Sequence, residues 1–376
     1  MKVLIATPYF HPRTGGLETY AWHLVHGLLA RGVEAVVVCG DDVASPTRGE
    51  LDGLPVYRLP IWRTAFNTPL HPAWPRWLRR IIAVERPDVV NAHMPVVFMG
   101  DTAALAAGRR PFVVTYHAAT LVRPGGFMLR ALTGAYLLVQ RATLWRADAI
   151  VAVSPYVRQV LVRRFPQWRD KVHVVSNAVP AVGPPVTTAG EGLLFIASLK
   201  PTHNWKGLPL VLEALARYRD RYGAPPRLTV LGDGEDRQRY QRLAAGLHLE
   251  HVVDFVGQVP PGQRDTLLRR SRALVAYPTT ANDAFPTVLL DAWAQGVPVV
   301  AAAIGALPSL VRDGSTGLLA RPHDPTHLAD VLHTVVAEPG RAMAMGSRGR
   351  AMVAQEYTWP VQVTRMLDVL QAVTRL

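Results

Sequence analysis

The sequence predicts an α/β protein built from two doubly wound halves with parallel sheets, and three observations lead to this fold class. Short runs rich in Val, Ile and Leu alternate with segments of helical periodicity almost throughout the chain, as in successive βαβ units. The 376 residues exceed one ordinary hydrophobic core and suit two domains of less than about 200 residues each. Residues 180–192 contain three prolines and three glycines without periodicity, so this stretch is the predicted linker.

The first half is predicted to contain seven strands separated by helices. Between the first two strands, Leu17, Tyr20, Leu24 and Leu28 recur at helical spacing, and Gly32 suits the position just after the helix end. The apolar runs that we assign as strands span residues 2–8, 34–40, 55–59, 88–93, 112–117, 149–154 and 172–177.

The second half repeats the pattern with six predicted strands. They span residues 193–198, 227–234, 252–257, 273–278, 297–302 and 316–320. In two doubly wound halves of this kind, we expect the ligand where the C-terminal ends of the strands face each other, in a cleft between the domains.

Composition narrows the class of protein. A hydrophobic content of 49% with 18% charged residues describes a globular chain and excludes a disordered one. The single cysteine, Cys39, excludes an internal disulfide and fits a reducing compartment. The N-terminal apolar run is too short for a signal peptide, and no window reaches about 18 uninterrupted apolar residues. We therefore expect a cytoplasmic protein.

The net charge of +13 is concentrated in the first half. Residues 1–185 contain 21 Lys and Arg against 11 Asp and Glu, a balance of +10. Such a half suits an anionic partner: a phosphorylated substrate, an acidic membrane surface or nucleic acid. Arginine-rich, solvated helix faces explain the same charge equally well. No nucleic-acid-binding module is recognisable, so nucleic acid is not an expected partner.

Two places in the first half carry candidate ligand contacts. Adjacent Gly15 and Gly16 follow the first strand and precede the first helix, where a backbone can approach an anion closely. The G-x-G-x-x-G fingerprint of dinucleotide binding is absent, and a Gly-Gly turn is also common for conformational reasons alone. His93 and His117 end two successive strands, at the edge where an α/β site forms, although such histidines are often structural.

The second half offers lysines and aspartates at strand–helix junctions. Lys200 and Lys206 lie in the loop after its first strand, where a lysine can bind phosphate or merely be solvated. In NDAFPTVLLDAWAQGVPVV, residues 282–300, Pro286 suits the first helical position and Gly296 suits the helix stop. Asp283 stands outside the helix start, and Asp291 lies about five residues into it, roughly 7.5 Å along its axis. From spacing alone, a clamp for sugar and ribose hydroxyls and a purely structural role remain equally open.

Taken in order, these segments resemble a family 4 glycosyltransferase, a retaining, nucleotide-sugar-dependent enzyme with the GT-B fold. The resemblance runs from Lys2 to about Trp359 and includes VSPYVRQVL, VVSNAV, FIASLK, LTVLGDGED, VDFVG and TGLLARPHD. Its most specific part, residues 278–319, follows the family's signature helix almost position by position. The resemblance implies an acceptor-binding Rossmann-like domain at 1–180, a nucleotide-sugar-binding one at 181–357, and a C-terminal helix at 358–376 that crosses back to the first.

The resemblance also implies roles for individual residues. His117, Lys206 and Asp283 would be the catalytic group: His117 beside the transferred sugar, Lys206 on the diphosphate, and Asp283 on sugar hydroxyls. Asp283 and Asp291 match the two glutamates of the family's Glu-x7-Glu pair, of which the second holds the ribose. The remaining implied donor contacts are Gly15 and Gly16 on the diphosphate, Phe285, Pro286 and Thr287 along sugar and phosphate, and the stretch from Val256 to Val259 at the base.

Three departures from the family pattern stand out. Both glutamates are replaced by the shorter aspartate, and the usual Phe-Gly is Phe285-Pro286, which removes one backbone N–H donor. The arginine that often follows the first strand of the second domain is missing, because the segment there reads Ala197-Ser198-Leu199. Ser198 and Lys200 would still contact the donor, and Lys200 would supply the charge without arginine's bidentate geometry. These changes bear on donor identity and rate more than on the reaction class.

The expected partners are a UDP- or GDP-sugar donor and an acceptor hydroxyl, with no metal and no cofactor. The acceptor could be a secondary metabolite or aminocyclitol, or a lipid-linked glycan. Two basic segments, residues 74–87 and 123–150, could meet an anionic membrane or be ordinary domain helices. Two alternatives stay open: a GT-B nucleotide-sugar epimerase or phosphorylase, and a non-catalytic nucleotide-sugar-binding subunit.

Overall fold

The chain divides into two compact units. A computed structural model describes residues 1–65, 68–95, 98–118 and 127–375. The first unit comprises Met1–Asn177 together with Trp359–Leu376, and the second comprises Ala178–Thr358.

The first unit contains an eight-stranded sheet with strand order β10-β9-β8-β7-β1-β2-β4-β3. Its pairs are parallel except β3 with β4, and β5 and β6 form a separate antiparallel hairpin. The central strands are apolar and buried on both faces, as expected for a covered parallel sheet. The strands are β1 (Lys2–Thr7), β2 (Glu34–Asp41), β3 (Thr47–Leu51), β4 (Leu54–Pro60), β5 (Arg63–Ala65), β6 (Thr68–Leu70), β7 (Val89–Met94), β8 (Phe112–Tyr116), β9 (Ala149–Ala152) and β10 (Val172–Val174).

Five helices connect these strands. The first buries Tyr20, Leu24 and Leu28 on one face, as the spacing predicts, and Gly32 follows its end with φ of +74°. The helices are α1 (Gly16–Leu29), α2 (Trp74–Glu85), α3 (Met99–Ala107), α4 (Phe127–Arg146) and α5 (Pro155–Arg164). A 3₁₀ helix, Pro166–Lys171, precedes β10.

The second unit contains a six-stranded, wholly parallel sheet with strand order β13-β12-β11-β14-β15-β16. Its strands are β11 (Leu193–Ile196), β12 (Leu228–Leu231), β13 (Val253–Gly257), β14 (Ala273–Ala276), β15 (Val299–Ala302) and β16 (Gly317–Ala320). A 3₁₀ helix, Pro201–Lys206, follows β11. The helices are α6 (Leu208–Tyr222), α7 (Arg237–Gly246), α8 (Pro261–Arg270), α9 (Thr287–Ala294), α10 (Leu307–Leu310), α11 (Pro325–Ala337) and α12 (Pro339–Glu356).

The last helix, α13 (Trp359–Thr374), belongs to the first unit, where it packs on α1. No helix in the described ranges is both long enough and apolar enough to span a bilayer.

The predicted α/β fold class with parallel, doubly wound sheets is confirmed, and all thirteen predicted strands are present. Strand β3 and the β5–β6 hairpin were not predicted. Four of the five residues of β3 are exposed and carry no apolar alternation, so its pairing depends on β4 and not on its own pattern. The placement of Pro286 at the first helical position was wrong. Pro286 is the N-cap of α9 with ψ of 96°, and Thr287 is the first helical residue.

Candidate active site

Two histidines meet at the C-terminal edge of the first sheet. His93 lies near the end of β7 and His117 directly follows β8, the neighbouring strand. His117 Nε2 lies 3.1 Å from His93 Nδ1, so one nitrogen donates a proton and the other accepts it. Tyr20 of α1 packs edge-on against the His117 ring, with 4.9 Å between ring centroids. The strand ends thus bring together the two histidines that the sequence singled out.

Burial keeps this pair neutral. It lowers the pKa of His93 to about 3, and burial followed by the neighbouring His93 lowers the pKa of His117 well below its usual range. His93 Nε2 is buried and has no hydrogen-bond partner among the described residues. A buried N–H without an acceptor is less favourable than a bare ring nitrogen. We therefore expect the proton on His93 Nδ1, donated to His117 Nε2, which leaves Nδ1–H on His117 as a donor.

The N-terminus of α1 lies in the same unit, after β1. Gly15 is the N-cap in an extended conformation, and Gly16 is the first helical residue. A Cβ on Gly15 would collide with the Glu18 carboxylate, whereas a Cβ on Gly16 would meet nothing within 4 Å. Burial raises the pKa of Glu18, which folds back over the start of the helix. Open space therefore surrounds the backbone of Gly16.

In the second unit, the loops after β11, β12 and β13 are joined edge to edge by backbone hydrogen bonds. Leu199 N donates to Asp233 O at 2.9 Å, and Gly232 N donates to Gly257 O at 2.8 Å. Gly232 has φ of +124°, and a Cβ there would strike the carbonyl of Ala197. This close approach holds the segment with half-buried Ser198 and exposed Lys200 at the C-terminal edge of the sheet.

Lys206 is fixed by its neighbours at the end of the 3₁₀ helix. Gly207, with φ of +82°, packs so closely on the carbonyl of Tyr277, the residue after β14, that no Cβ fits. Thr279 N donates to Trp205 O at 2.8 Å, which ties the same turn to the loop before α9. Lys206 Nζ lies 4.3 Å from the centre of the Trp205 ring. Only glycine at 207 lets the lysine turn reach the β14 loop.

Lys206 and Asp283 form an ion pair. Nζ donates to Oδ2 at 2.6 Å, with both side chains largely shielded from solvent. Asp283 does not cap α9, because no side-chain hydrogen bond closes that helix N-terminus. Phe285 and Pro286 are buried, Phe285 against Tyr357 at 5.9 Å between ring centroids, while Thr287 is exposed. The loop before α9 therefore brings a carboxylate and an uncapped helix N-terminus, and the end of the 3₁₀ helix brings a cation to that carboxylate.

Asp291 lies on α9 and pairs with a residue that the sequence did not single out. Oδ2 forms an ion pair with Nη1 of Arg264 on α8 at 3.2 Å, and no other ion pair in the described ranges involves this carboxylate. Burial raises the pKa of Asp291 to about 6, opposed by Arg264 and reinforced by Asp265. A carboxylate with 20% of its side chain exposed thus retains unused acceptor positions. The run of arginines on α8 gave no signal, because pairing of two helices depends on packing that local spacing does not encode.

Val256 and Val259, the residues expected to contact the base, are not grouped with the other predicted site residues. Val256 is 43% exposed on edge strand β13, and its side chain lines a groove of about 680 Å³ with Gln241, Asp254 and Leu267. None of the other predicted site residues lines this groove. Val259 lies beyond the strand and is half-buried. Among the residues that the structure describes, no group of three or more His, Cys, Asp or Glu side chains could hold a metal ion.

Comparison with known proteins gives matches over nearly the whole chain. Residues 14–181 match the family described as Glycosyltransferase Family 4, and residues 185–352 match the one described as Glycosyl transferases group 1. D-inositol 3-phosphate glycosyltransferase of Frankia alni is 30% identical, covering 92% of this chain and 93% of that protein. Phosphatidyl-myo-inositol mannosyltransferase of Mycobacterium leprae is 27% identical, covering 99% and 97%.

Solved structures show the same fold. Anabaena Alr3699/HepE in complex with UDP superposes with a TM-score of 0.75 at 20% identity, covering 99% of this chain and 100% of that one. Sucrose-phosphate synthase from Thermosynechococcus elongatus superposes with a TM-score of 0.74 at 19% identity, covering 100% and 99%.

Proposed function

The chain belongs to the family 4 glycosyltransferases with the GT-B fold, and we propose that it transfers a sugar, with retention of configuration, from a nucleotide-diphosphate sugar to an acceptor hydroxyl. We propose a UDP-sugar first and a GDP-sugar second, since the structurally similar HepE is described with UDP and with UDP-glucose. We place the reaction in the cytoplasm, in keeping with the single free cysteine, Cys39.

The observation that carries the proposal is the ion pair between Lys206, at the end of the 3₁₀ helix, and Asp283, in the loop before α9. A nucleotide-diphosphate sugar presents anionic oxygens next to sugar hydroxyls, and this pair offers an ammonium donor and a carboxylate acceptor 2.6 Å apart. The uncapped N-terminus of α9 adds backbone N–H groups of the kind that favour an anion. Asp291, one turn further along the same helix, would take the ribose hydroxyls.

In this mechanism the bond between the anomeric carbon and the diphosphate oxygen breaks as the acceptor oxygen bonds to that carbon on the same face. The proton of the acceptor hydroxyl passes to the leaving phosphate. Lys206, Lys200 and the start of α9 stabilise the negative charge that develops on the leaving diphosphate. We propose that this transfer proceeds without a metal. Asp283 holds sugar hydroxyls and is not the nucleophile, and His117 donates to the transferred sugar.

Donor binding tests this proposal directly. Thermal denaturation with UDP, GDP, UDP-glucose and GDP-mannose should show stabilisation by one nucleotide class, because a ligand bound only by the folded state raises stability. Lys206→Met and Asp283→Ala should each abolish this shift, and both should slow donor turnover. Arg341→Met, which breaks an exposed pair with Glu338 on α12, is the matched control. Full donor turnover by Asp283→Ala would sink the assignment.

The products distinguish the alternatives. With donor and no acceptor, a transferase releases nucleotide slowly by hydrolysis, whereas an epimerase changes the sugar and keeps the bond to the nucleotide. Donor binding without turnover over any acceptor indicates a non-catalytic subunit.

The role of Gly16 allows a separate test. Because a Cβ at Gly16 meets nothing within 4 Å, Gly16→Ala should leave the free protein folded, and helix propensity should stabilise it by up to about 1 kcal/mol. A diphosphate lying against this backbone would exclude the methyl group, so the donor Kd should rise about tenfold or more. Gly340→Ala, in the first turn of α12 with equally open space, should leave the donor Kd unchanged. Equal donor binding by both variants would remove Gly16 from the site.

We further propose that the first unit binds an anionic membrane through the outer faces of α2, α3 and α4, which pack side by side. Val84, Leu105, Leu138 and Trp145 lie on these faces with 65–73% of their surface exposed. Arg76, Arg79, Arg80, Arg109 and Arg141 are exposed on or next to these helices, and none of them forms an ion pair with a carboxylate in the described ranges. Exposed Trp and Leu among unpaired arginines fit an interface of lipid headgroups and acyl chains. Residues 123–126 of the second basic segment lie outside the described residues.

Vesicle sedimentation tests this surface. We expect binding to vesicles with about one third phosphatidylglycerol and little binding to pure phosphatidylcholine, since each arginine near an anionic surface contributes about 1 kcal/mol. Leu138→Ser with Trp145→Ser should weaken binding. Trp62→Ser, which removes a 64% exposed tryptophan outside these helices, should not. Equal binding by both variants would contradict the proposed surface.

A further inference from the structure

If Asp291 binds the donor, the ion pair between Arg264 of α8 and Asp291 of α9 takes part in donor binding. Arg264 comes from the fourth position of α8, reaches α9 and places Nη1 3.2 Å from Asp291 Oδ2. Its Nε is buried without a hydrogen-bond partner, 3.6 Å from Asp265 Oδ1. The guanidinium therefore lies between two carboxylates, those of Asp291 and Asp265.

Among the residues that the structure describes, no other cation faces Asp291. On α8, Arg269 is committed to Gln295 at 2.7 Å, and Asp265 carries the opposite sign. On α12, which also packs against α9, Arg348 and Arg350 donate to the carbonyls of Ser315 and Gly183. Strands β14 and β15 bring no charged side chain. Arg264 alone therefore balances the Asp291 carboxylate.

Resting on the proposed function, we propose that Arg264 is a positioning residue for the donor nucleotide. It keeps Asp291 ionised and oriented so that the carboxylate can accept ribose hydroxyls. The aspartate that replaces the family's glutamate thus acts together with an arginine from the neighbouring helix.

Loss of Arg264 should change the pH dependence of nucleotide binding. Burial already raises the pKa of Asp291 to about 6, and Arg264 is the group that opposes this rise. Loss of Arg264 raises that pKa further, so that less Asp291 is ionised at and below neutral pH. If the pKa of Asp291 rises by one unit, nucleotide binding should weaken about threefold at pH 6.5 and nearly tenfold at pH 5.5. At pH 8.5 Asp291 is ionised in either case, so binding should show no pH-linked loss.

The experiment measures the Kd of UDP and of GDP from pH 5.5 to 8.5 for the wild type and three variants. Arg264→Gln should show the steeper loss on acidification. Arg264→Lys keeps the charge, so it should recover the wild-type pH profile. Arg269→Gln, the same change on the same helix away from Asp291, is the control and should follow the wild type.

Each outcome is decisive. An Arg264→Gln profile parallel to the wild type, or an equal change in Arg269→Gln, would overturn the inference while the proposed function stands. If the wild type binds neither nucleotide, the proposed function fails and the inference fails with it. Arg264 is 34% exposed, so its variants should fold, and the Lys variant still tests the charge if Arg264→Gln does not.

Discussion

At the scale of single residues, local pattern located most of the candidate site but not its electrostatic partners. Asp283 and Lys206 were singled out separately, and the structure joins them at 2.6 Å. His93 and His117 were expected at neighbouring strand ends and lie 3.1 Å apart. Arg264 was missed, because nothing in its own helix distinguishes it from the other arginines there. Residue type and strand position predict which polar side chains lie at the strand ends, whereas pairing across helices follows only from three-dimensional packing.

Asp291 should reduce the stability of the free protein above pH 6. Its folded pKa of about 6 exceeds the usual value of 3.8, so stability falls as pH rises from about 4 to about 6 and stays reduced above that, by at most roughly 3 kcal/mol for the ionised form. Asp291→Asn should raise Tm at pH 8 by a few degrees and by less at pH 5, although it weakens donor binding. Thermal denaturation at both pH values measures this. Asp283→Asn, which breaks the Lys206 pair, should give no such gain, and equal gains from both variants would refute the explanation.

The histidine pair should stay neutral in mildly acidic solution. Burial depresses the pKa of His93 to about 3 and that of His117 well below its usual range. Since the unfolded chain binds a proton near pH 6.5, each histidine removes stability as pH falls below that value. Two-dimensional ¹⁵N NMR of the imidazoles, assigned with His93→Asn and His117→Ala, should show both neutral at pH 5, with His117 protonated on Nδ1. Titration of either ring near pH 6.5 would contradict this.

At the scale of elements, runs of apolar residues predicted the buried strands correctly, whereas an exposed polar strand and a helix start were not predicted correctly. Every buried parallel strand was predicted, because burial on both faces produces a continuous run of Val, Ile and Leu. Strand β3 was missed because its residues are mostly exposed and its register is set by β4. The start of α9 was placed one residue early, since proline is common both at the N-cap and at the first helical position. Element type was thus predictable where burial dictates the residues.

The turn that presents Lys206 should depend on Gly207. Gly207→Ala places alanine in a left-handed backbone conformation, which costs a non-glycine residue about 1–2 kcal/mol. The new Cβ also clashes with the Tyr277 carbonyl. Gly314→Ala has a similar φ of +70° in open space and should show only the conformational cost. Chemical denaturation should therefore give a clearly larger loss for Gly207→Ala, together with lost nucleotide binding. Equal losses would mean that the close approach is unimportant.

At the scale of the whole molecule, the sequence predicts the fold class because the alternation of strands and helices is a local property repeated along the chain. Strand order is not local: β1 lies between β2 and β7, and β11 lies between β12 and β14. The rules for parallel crossovers limit such orders without selecting one. The composition of the first unit is also non-local, because α13 returns to it from the C-terminal end, about 180 residues after the chain leaves it.

The first unit should therefore need α13 to fold. Trp359, Val363, Met366 and Leu370 of this helix are buried, and Ser176 N donates to the Gln362 side chain at 2.7 Å. Residues 1–177 alone would expose the apolar surface under α13, so we expect aggregation or a non-cooperative transition. Joining Asn177 to Trp359 through a short Gly-Ser linker should restore cooperative unfolding, because both ends lie within one unit. The same fusion with Met366→Asp and Leu370→Asp is the control and should unfold without cooperativity. Circular dichroism during heating distinguishes the three proteins, and cooperative unfolding of residues 1–177 alone would show that α13 is dispensable.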